Sequence, residues 1–293
     1  RDADQLTDAL DDPASLWKRH VLESIGNKID YLSWHIYQPE KSGWQDEYDP
    51  QELFKSVCAA HVDMEGIIRR VESQIKQSEL SRPVLQAVDE WNLWLPPREK
   101  NVSMHNVTYT MRDALYVASV LSSFFKQSCT VGMANLAQLV NVLPLIQTNA
   151  QSAIATAIFY PFILFAQMKP WVVHPVIECE TFSSRALDIN VLAHEYVPYL
   201  DGVAGTNEDG SVLTLVLVNR YPVNRLKVAL DLGTDGYTPK NALSLSAVSP
   251  EAFNSFSNPY MVRLSDAKKP VKKGNLFQVS LKPCSVYFVE LTK

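Results

Sequence analysis

The spacing of apolar residues changes once along this 293-residue chain, close to Pro170. Before Pro170, short apolar runs that suit buried strands alternate with stretches in which apolar residues recur at helical spacing. After it, short β-rich runs follow one another, separated by turn sequences such as residues 207–210 (NEDG). The first pattern predicts right-handed parallel β/α units and the second an antiparallel β-sandwich. We therefore predict an α/β plus all-β fold with two domains, over residues 1–170 and 171–293.

Each strand candidate of the first domain has a helical pattern beside it. The strand candidates there are residues 29–36, 83–88 and 130–136, and those of the second domain are residues 172–180, 187–192, 212–219, 226–231, 276–281 and 285–291. A long helix is predicted from the N-cap Asp49 to about Leu80. A second helix begins at the capping box that Thr110 opens, and a third is predicted over residues 154–168 with a kink at Pro161.

The first domain has too few units for a closed barrel. A (β/α)8 barrel needs eight parallel strands and typically about 250 residues, whereas about three βα units fit before Pro170. A three-stranded parallel sheet on its own would leave two edge strands unpaired, which native proteins avoid. We therefore predict the C-terminal part of a (β/α)8 barrel. Its completion requires a missing N-terminal barrel half or a second copy, and we expect a homo-oligomer.

The composition excludes several classes of function. The net charge is −5, and the most basic stretch is a predicted hairpin with four lysines, so no nucleic-acid partner is expected. No apolar run reaches the roughly 18 residues of a membrane span, so no membrane partner is expected either. The four cysteines are far apart and have no metal-ligating spacing, which predicts no metal and no cofactor. Unpaired cysteines suit a reducing compartment, and we expect a cytoplasmic rather than a secreted protein.

Residues 87–94 (AVDEWNLW) carry the clearest chemical signal in the sequence. Glu90 follows a buried run, and the carboxyl ends of barrel strands carry the chemistry in such folds. The two tryptophans of the segment offer flat apolar walls for sugar rings, so the segment predicts a glycosidase carboxylate. Alternatively, Glu90 pairs with Arg98 or Arg112, and one of the tryptophans packs in the core. The neighbouring Asp89 is expected to point to the opposite side of the extended chain.

Four segments form an ordered set of motifs. They are residues 30–37 (DYLSWHIY), 89–94 (DEWNLW), 133–142 (MANLAQLVNV) and 159–162 (FYPF). In order and approximate spacing the chain resembles the carboxyl-terminal part of glycoside hydrolase family 51, the α-L-arabinofuranosidases. The resemblance implies a (β/α)8 barrel followed by a jelly-roll-like sandwich. It also implies a retaining glycosidase that acts on arabinose-containing polysaccharides or oligosaccharides.

The resemblance gives each matched residue a role. Glu90 matches the nucleophile after the seventh barrel strand. His35 and Tyr37 match the pair after the sixth strand that shapes the subsite around it, although His35 alone would more often be an interior histidine. Gln138 matches the glutamine after the eighth strand that hydrogen-bonds the bound sugar. The complete predicted substrate-binding set is His35, Tyr37, Trp91, Asn92, Trp94 and Gln138.

One catalytic group of the family has no counterpart in this chain. The family's acid/base glutamate lies in a Gly-Asn-Glu motif after the fourth strand, and here the Asn207-Glu208 pair falls in a predicted sandwich turn. Retention needs two carboxyl groups about 5 Å apart, one to attack and one to exchange protons. We therefore expect this chain alone to hydrolyse glycosides poorly or not at all.

Three functions stay open on the sequence. The first is an arabinofuranosidase part that removes terminal arabinofuranosyl groups from arabinan or arabinoxylan when the front half of the barrel is supplied. The second is an endo-β-1,4-glucanase or xylan-active enzyme of the same family, with a cleft formed by the loop of residues 38–48 and its Trp44. The third is a non-catalytic carbohydrate-binding or assembly fragment.

Overall fold

The computed structural model describes residues 13–40, 48–95 and 103–293. The α-helices are α1 (Pro13–Ile25), α2 (Pro50–Ala59), α3 (His61–Gln77), α4 (Met111–Lys126) and α5 (Phe159–Phe165). The first strands are β1 (Tyr31–Glu40), β2 (Leu85–Trp94), β3 (Val131–Leu136), β4 (Ile146–Thr148) and β5 (Ala153–Ala155). The later strands are β6 (Trp171–Val173), β7 (Thr181–Ser184), β8 (His194–Pro198), β9 (Leu200–Thr206), β10 (Val212–Asn219), β11 (Leu226–Leu230), β12 (Thr238–Ser246), β13 (Arg263–Asp266), β14 (Val271–Lys273), β15 (Leu276–Leu281) and β16 (Ser285–Thr292). Among the described helices, none is long and apolar enough to cross a membrane.

The first half of the chain is a three-stranded parallel sheet with helices against one face. The strand order is β1-β2-β3, and both pairs are parallel. Along β1, alternate side chains such as Leu32 and Trp34 are buried in the main apolar core together with residues of α2, α3 and α4. The other face is open, since Tyr31 and Met133 are 44% and 42% exposed. This arrangement confirms the predicted C-terminal part of a (β/α)8 barrel.

Two of the predicted helices differ from the sequence-based expectation. The long helix after Asp49 is broken at Ala60 into α2 and α3. His61 Nδ1 lies 3.0 Å from the Cys58 carbonyl oxygen, the acceptor that a straight helix would offer to the next turn. The helix predicted over residues 154–168 is wrong in its first part, because Ala153–Ala155 pairs with β4. The remaining helix is short, and Pro161 lies in its first turn, where a missing N–H breaks no helical bond.

The second half is an antiparallel β-sandwich. A six-stranded sheet of order β13-β12-β16-β10-β9-β6 packs against a three-stranded sheet of order β11-β15-β14, with an apolar core between them. The sequence missed β9, which contains two glycines and an aspartate, residues with low β propensity. A Cβ on Gly205 would lie 2.2 Å from the Lys169 carbonyl oxygen, so packing requires glycine there. The predicted strand over residues 187–192 is also wrong, because that segment contains only an isolated bridge between Asp188 and Val191.

A buried polar network joins the two halves. Arg220, which follows β10, donates through Nη2 to Asp201 Oδ2 on β9 and to Ser119 Oγ on α4, both at 2.8 Å. The same nitrogen lies 3.2 Å from His61 Nε2, and Lys126 Nζ donates to Asp201 Oδ1 at 2.8 Å. Burial, followed by the charge of Arg220, lowers the pKa of His61 to about 3. His61 is therefore neutral, and its Nε2 accepts from Arg220.

Candidate active site

A β-bulge in the central strand brings two carboxylates to one histidine. Trp34 of β1 pairs with Val88, but His35 pairs with Glu90, so Asp89 is an extra residue in β2. His35 Nδ1 lies 3.1 Å from Glu90 Oε2, and His35 Nε2 lies 3.1 Å from Asp89 Oδ1. The expectation that Asp89 points away from Glu90 is therefore wrong. A bulge interrupts the alternation of side chains that a regular strand would impose.

Glu90 is held by two side chains of β1. Its Oε1 accepts a short hydrogen bond from the Tyr37 hydroxyl, and its Oε2 faces the His35 ring. Burial, followed by the hydrogen bond to Glu90, raises the pKa of Tyr37 above its usual range, so the phenol stays protonated and donates. The Glu90 side chain is 34% exposed. The carboxylate is thus fixed in orientation and still open to a ligand.

The sequence did not single out Ser33, which completes this arrangement. Its Oγ donates to Asp89 Oδ1 at 2.8 Å. Ser33, His35 and Tyr37 alternate along β1, and side chains two residues apart point to the same face of a strand. That spacing is the signal from which the whole row could have been found. A neutral imidazole has one N–H, so His35 can donate to only one of the two carboxylates at a time unless it is protonated.

Trp94 forms a wall beside this row. Its ring centroid lies 5.2 Å from that of Tyr37 at an interplanar angle of 63°, and 4.9 Å from that of His105. Its Nε1 donates to the Met104 carbonyl oxygen at 3.1 Å, which fixes the plane of the indole. His105 belongs to a loop in which no sequence pattern indicated a role. Trp94 is partly exposed, as a sugar-stacking side chain must be.

Trp91 and Asn92 are corrected from substrate contacts to core residues. Both are 0% exposed. The Trp91 ring packs edge-on against Phe124 at 5.2 Å and stacks on Phe162 at 6.2 Å, on the helical side of the sheet. Trp91 is enclosed by residues of the helices, whereas Asn92, which pairs with Tyr37 in the strand register, is covered by the segment after β3, so neither side chain is accessible to a bound sugar. Of the two tryptophans in the motif, one is a core residue and the other lies at the site.

Asn92 instead anchors the segment after β3. Its Nδ2 donates to the carbonyl oxygens of Ala137 at 2.7 Å and Leu143 at 3.0 Å. Between these two anchor points lies Gln138, whose side chain is exposed and makes no hydrogen bond to a described residue. Gln138 therefore lies at the carboxyl end of β3, next to the end of β2, without contacting Glu90. The amide of Asn92 fixes the backbone from which Gln138 projects.

Arg112, one of the two alternative partners of Glu90, is engaged elsewhere. Arg112 is 1% exposed and pairs with Asp113 at 2.8 Å and with Glu251 at 3.5 Å, so it is not the partner of Glu90. Arg98 lies outside the described residues. So does Trp44, on which the cleft of the endo-acting alternative depends. Glu90 is thus paired with groups of β1 that leave one side of it accessible.

A carboxylate at the carboxyl end of parallel barrel strands, beside an accessible indole, is typical of carbohydrate-active barrel proteins. A family model, the α-L-arabinofuranosidase C-terminal domain, matches residues 89–285. The chain belongs to this family, and it corresponds to the C-terminal part of glycoside hydrolase family 51 proteins.

Known relatives agree with this family. The chain is 30% identical over 192 residues to a probable α-L-arabinofuranosidase C of Aspergillus clavatus, covering 64% of this chain and 37% of that protein. It is 25% identical over 281 residues to an intracellular exo-α-(1→5)-L-arabinofuranosidase of Bacillus subtilis, covering 89% and 52%. The structure of a thermostable GH51 α-L-arabinofuranosidase from Thermotoga petrophila superimposes with a TM-score of 0.75 at 28% identity, covering 96% and 56%. The chain therefore spans about half the length of these relatives or less.

Proposed function

We propose that this chain supplies the nucleophile of a retaining α-L-arabinofuranosidase. The observation that carries the proposal is the placement of Glu90, which lies at the carboxyl end of the central strand and is oriented by Tyr37 and His35. An ionised carboxylate with one accessible side is the group that attacks an anomeric carbon. The Tyr37 hydrogen bond holds Glu90 so that its carboxylate needs little reorganisation in the reaction.

The second carboxyl group is proposed to come from outside these 293 residues. Asp89 is near Glu90, but its Oδ1 already accepts from Ser33 and faces His35. The relatives are about twice as long as this chain, which leaves room for a separate acid/base residue. We expect the chain alone to hydrolyse aryl arabinofuranosides poorly, because general acid catalysis typically contributes about 10²- to 10⁴-fold.

The proposed substrates are terminal arabinofuranosyl groups of arabinan or arabinoxylan. The relatives are named arabinofuranosidases, which supports arabinofuranose as the sugar that is released. The name of the Bacillus subtilis relative includes 'exo', which supports removal of terminal units. The same relative is described as intracellular, and we propose the cytoplasm for this protein as well. Trp94 would pack against the apolar face of the sugar bound at Glu90.

Covalent labelling tests the proposal. The complete active site is assembled by adding the front half of the barrel, and is then treated with a mechanism-based arabinofuranosyl inactivator. Peptide mapping is expected to find the sugar on Glu90. Glu90→Gln is expected to abolish both labelling and turnover, whereas the matched control Asp89→Asn is expected to retain the label on Glu90. A label on any other residue contradicts the assignment.

A further inference from the structure

A second cleft lies between the barrel half and the sandwich. Its volume is about 620 Å³. One wall comes from the segment before α4, with Asn106 and Thr108. Another comes from β4, with Gln147, and a third from the sandwich loop that carries Phe253 and Phe256. None of its described lining side chains belongs to the Glu90 site.

The chemistry of this cleft is that of a neutral polar surface with aromatic rings. All of the described side chains that line it are uncharged amides, hydroxyls and aromatic groups. Phe253 and Phe256 are each 42% exposed, so their ring faces are accessible. Within the described residues, the side-chain amides of Asn106 and Gln147 make no hydrogen bond to the protein. Each amide offers donors and an acceptor, the combination that matches sugar hydroxyl groups.

The sandwich wall of the cleft is rigidly attached. Asn254 donates through Nδ2 to the carbonyl oxygens of Ala155 at 3.0 Å and Val262 at 2.9 Å, and its Oδ1 accepts from Val262 N at 2.8 Å. The start of α4 is tied to the same loop, because Met111 N donates to the Ala252 carbonyl oxygen at 2.8 Å. A ligand therefore meets a preformed surface, and little ordering of the loop opposes binding.

We propose that this cleft is a binding site for a neutral oligosaccharide. Exposed phenyl rings contact the apolar faces of sugar units, and the unengaged amides of Asn106 and Gln147 bind their hydroxyl groups. The absence of charge among the described lining groups disfavours acidic sugars, whose carboxylates would lose solvation without gaining a cationic partner. This proposal goes beyond the proposed function, because it assigns binding rather than cleavage and does not depend on Glu90.

Calorimetric titration of the 293-residue chain tests the cleft. The probes are α-(1→5)-arabinotriose, xylotriose and, as the charged analogue, trigalacturonate, and Glu90→Gln is present throughout to prevent cleavage. At least one neutral trisaccharide is expected to bind at least tenfold more tightly than trigalacturonate. Phe256→Ala and Gln147→Ala are each expected to weaken that binding about tenfold. The matched control is Tyr260→Ala, in the same loop, 69% exposed and outside the cleft lining.

Any one of three results would overturn the proposal. They are a Kd unchanged by Phe256→Ala and Gln147→Ala, equally tight binding of trigalacturonate, and no binding of either neutral trisaccharide. Circular dichroism checks that each variant is folded. Folding is expected to survive these substitutions because the side chains lie at the surface. Covalent labelling of Glu90 is measured separately, so a failure of the cleft and a failure of the proposed function are distinguishable.

Discussion

At the scale of single residues, side chains adjacent in sequence lie on opposite faces of the parallel sheet. Glu90 and Trp91 are adjacent, yet the first faces the open side of the sheet and the second is enclosed by Phe124 and Phe162. Trp94 returns to the open side, beside Tyr37. The motif therefore contains both site residues, Glu90 and Trp94, and a core residue, Trp91. Substitutions at these positions should separate effects on catalysis from effects on stability.

The hydrogen bond from Tyr37 to Glu90 should matter for turnover more than for folding. Tyr37→Phe removes only the hydroxyl, and a hydrogen bond to a charged group contributes about 1.5 to 3 kcal/mol. We expect kcat on an aryl arabinofuranoside to fall about 10- to 100-fold in the assembled enzyme. Tyr31→Phe, on the same face of β1, is the control and should leave kcat unchanged. Equal rates for the two variants would exclude a role for Tyr37 in orienting Glu90.

The two tryptophans should respond differently to truncation. Trp91→Ala opens a cavity in the core and is expected to lower the free energy of unfolding by about 3 to 5 kcal/mol. Trp94→Ala is expected to change stability much less, and to raise KM in the assembled enzyme. Urea unfolding followed by far-UV circular dichroism measures the first effect. Comparable losses of stability in both variants would contradict the division of the motif into core and wall.

At the scale of elements, strand β9 exists because of its neighbours rather than its own preference. Its two glycines pack where no side chain fits, since a Cβ on Gly205 meets the Lys169 carbonyl oxygen and a Cβ on Gly202 lies 2.9 Å from the Val216 carbonyl oxygen. Its partner β10 is apolar except for Thr214 and the terminal Asn219, a pattern that predicts a buried strand. The sheet thus imposes extended structure on a sequence with little intrinsic tendency toward it.

Two glycine replacements test this view with opposite expected signs. Gly205→Ala forces a methyl group against backbone and is expected to destabilise the chain by more than about 2 kcal/mol. Gly66→Ala lies within α3, where nothing stands within 4 Å of the new methyl group. It is expected to stabilise by up to about 1 kcal/mol, because alanine favours helix. Chemical denaturation measures the free energy of unfolding of both variants. Stabilisation by Gly205→Ala would refute the packing argument.

At the scale of the whole molecule, the described part of the barrel has three parallel strands, and the sandwich packs firmly against its helices. The network of Arg220, Asp201 and His61 fixes the sandwich to α3 and α4. The opposite side of the parallel sheet remains open, and an apolar groove of about 330 Å³ follows the outer edge of β3. The contact between the two halves is therefore well packed, whereas the open side of the sheet is where we expect a partner to bind.

Acid should lower the stability of the folded chain through His61, which lies between the barrel half and the sandwich. His61 is neutral in the folded chain with a pKa of about 3, whereas an unfolded histidine has a pKa near 6.5. Between these values only the unfolded state binds the proton, so stability falls as pH drops below about 6.5. The loss from this residue should reach roughly 3 kcal/mol by pH 4. His61→Gln should flatten that slope in pH-dependent unfolding, whereas the exposed control His174→Gln should retain it.

The open side should drive association. Within the described residues, the outer edges of β1 and β3 pair with no other strand, and each backbone group left buried without a partner costs about 1 to 3 kcal/mol. Apolar side chains are exposed as well, with Trp17 of α1 at 56% and Met133 at 42%. Light scattering coupled to size exclusion is expected to show dimers or larger species. Met133→Lys should weaken them, unlike the control Val176→Lys at a position 92% exposed. A concentration-independent monomer would refute this account.

Local patterns in the sequence determined the three parallel strands, the capped helix α4, the turn at residues 207–210 and the carboxylate at position 90, because each depends on periodicity or on turn and cap chemistry within a few residues. The strand β9 and the division of roles between the buried Trp91 and the accessible Trp94 depend on groups far away in sequence. The tertiary structure decided these, and it decided the bulge at Asp89 too. Register against β1 determines which side chains of β2 face the site, and no local pattern encodes that pairing.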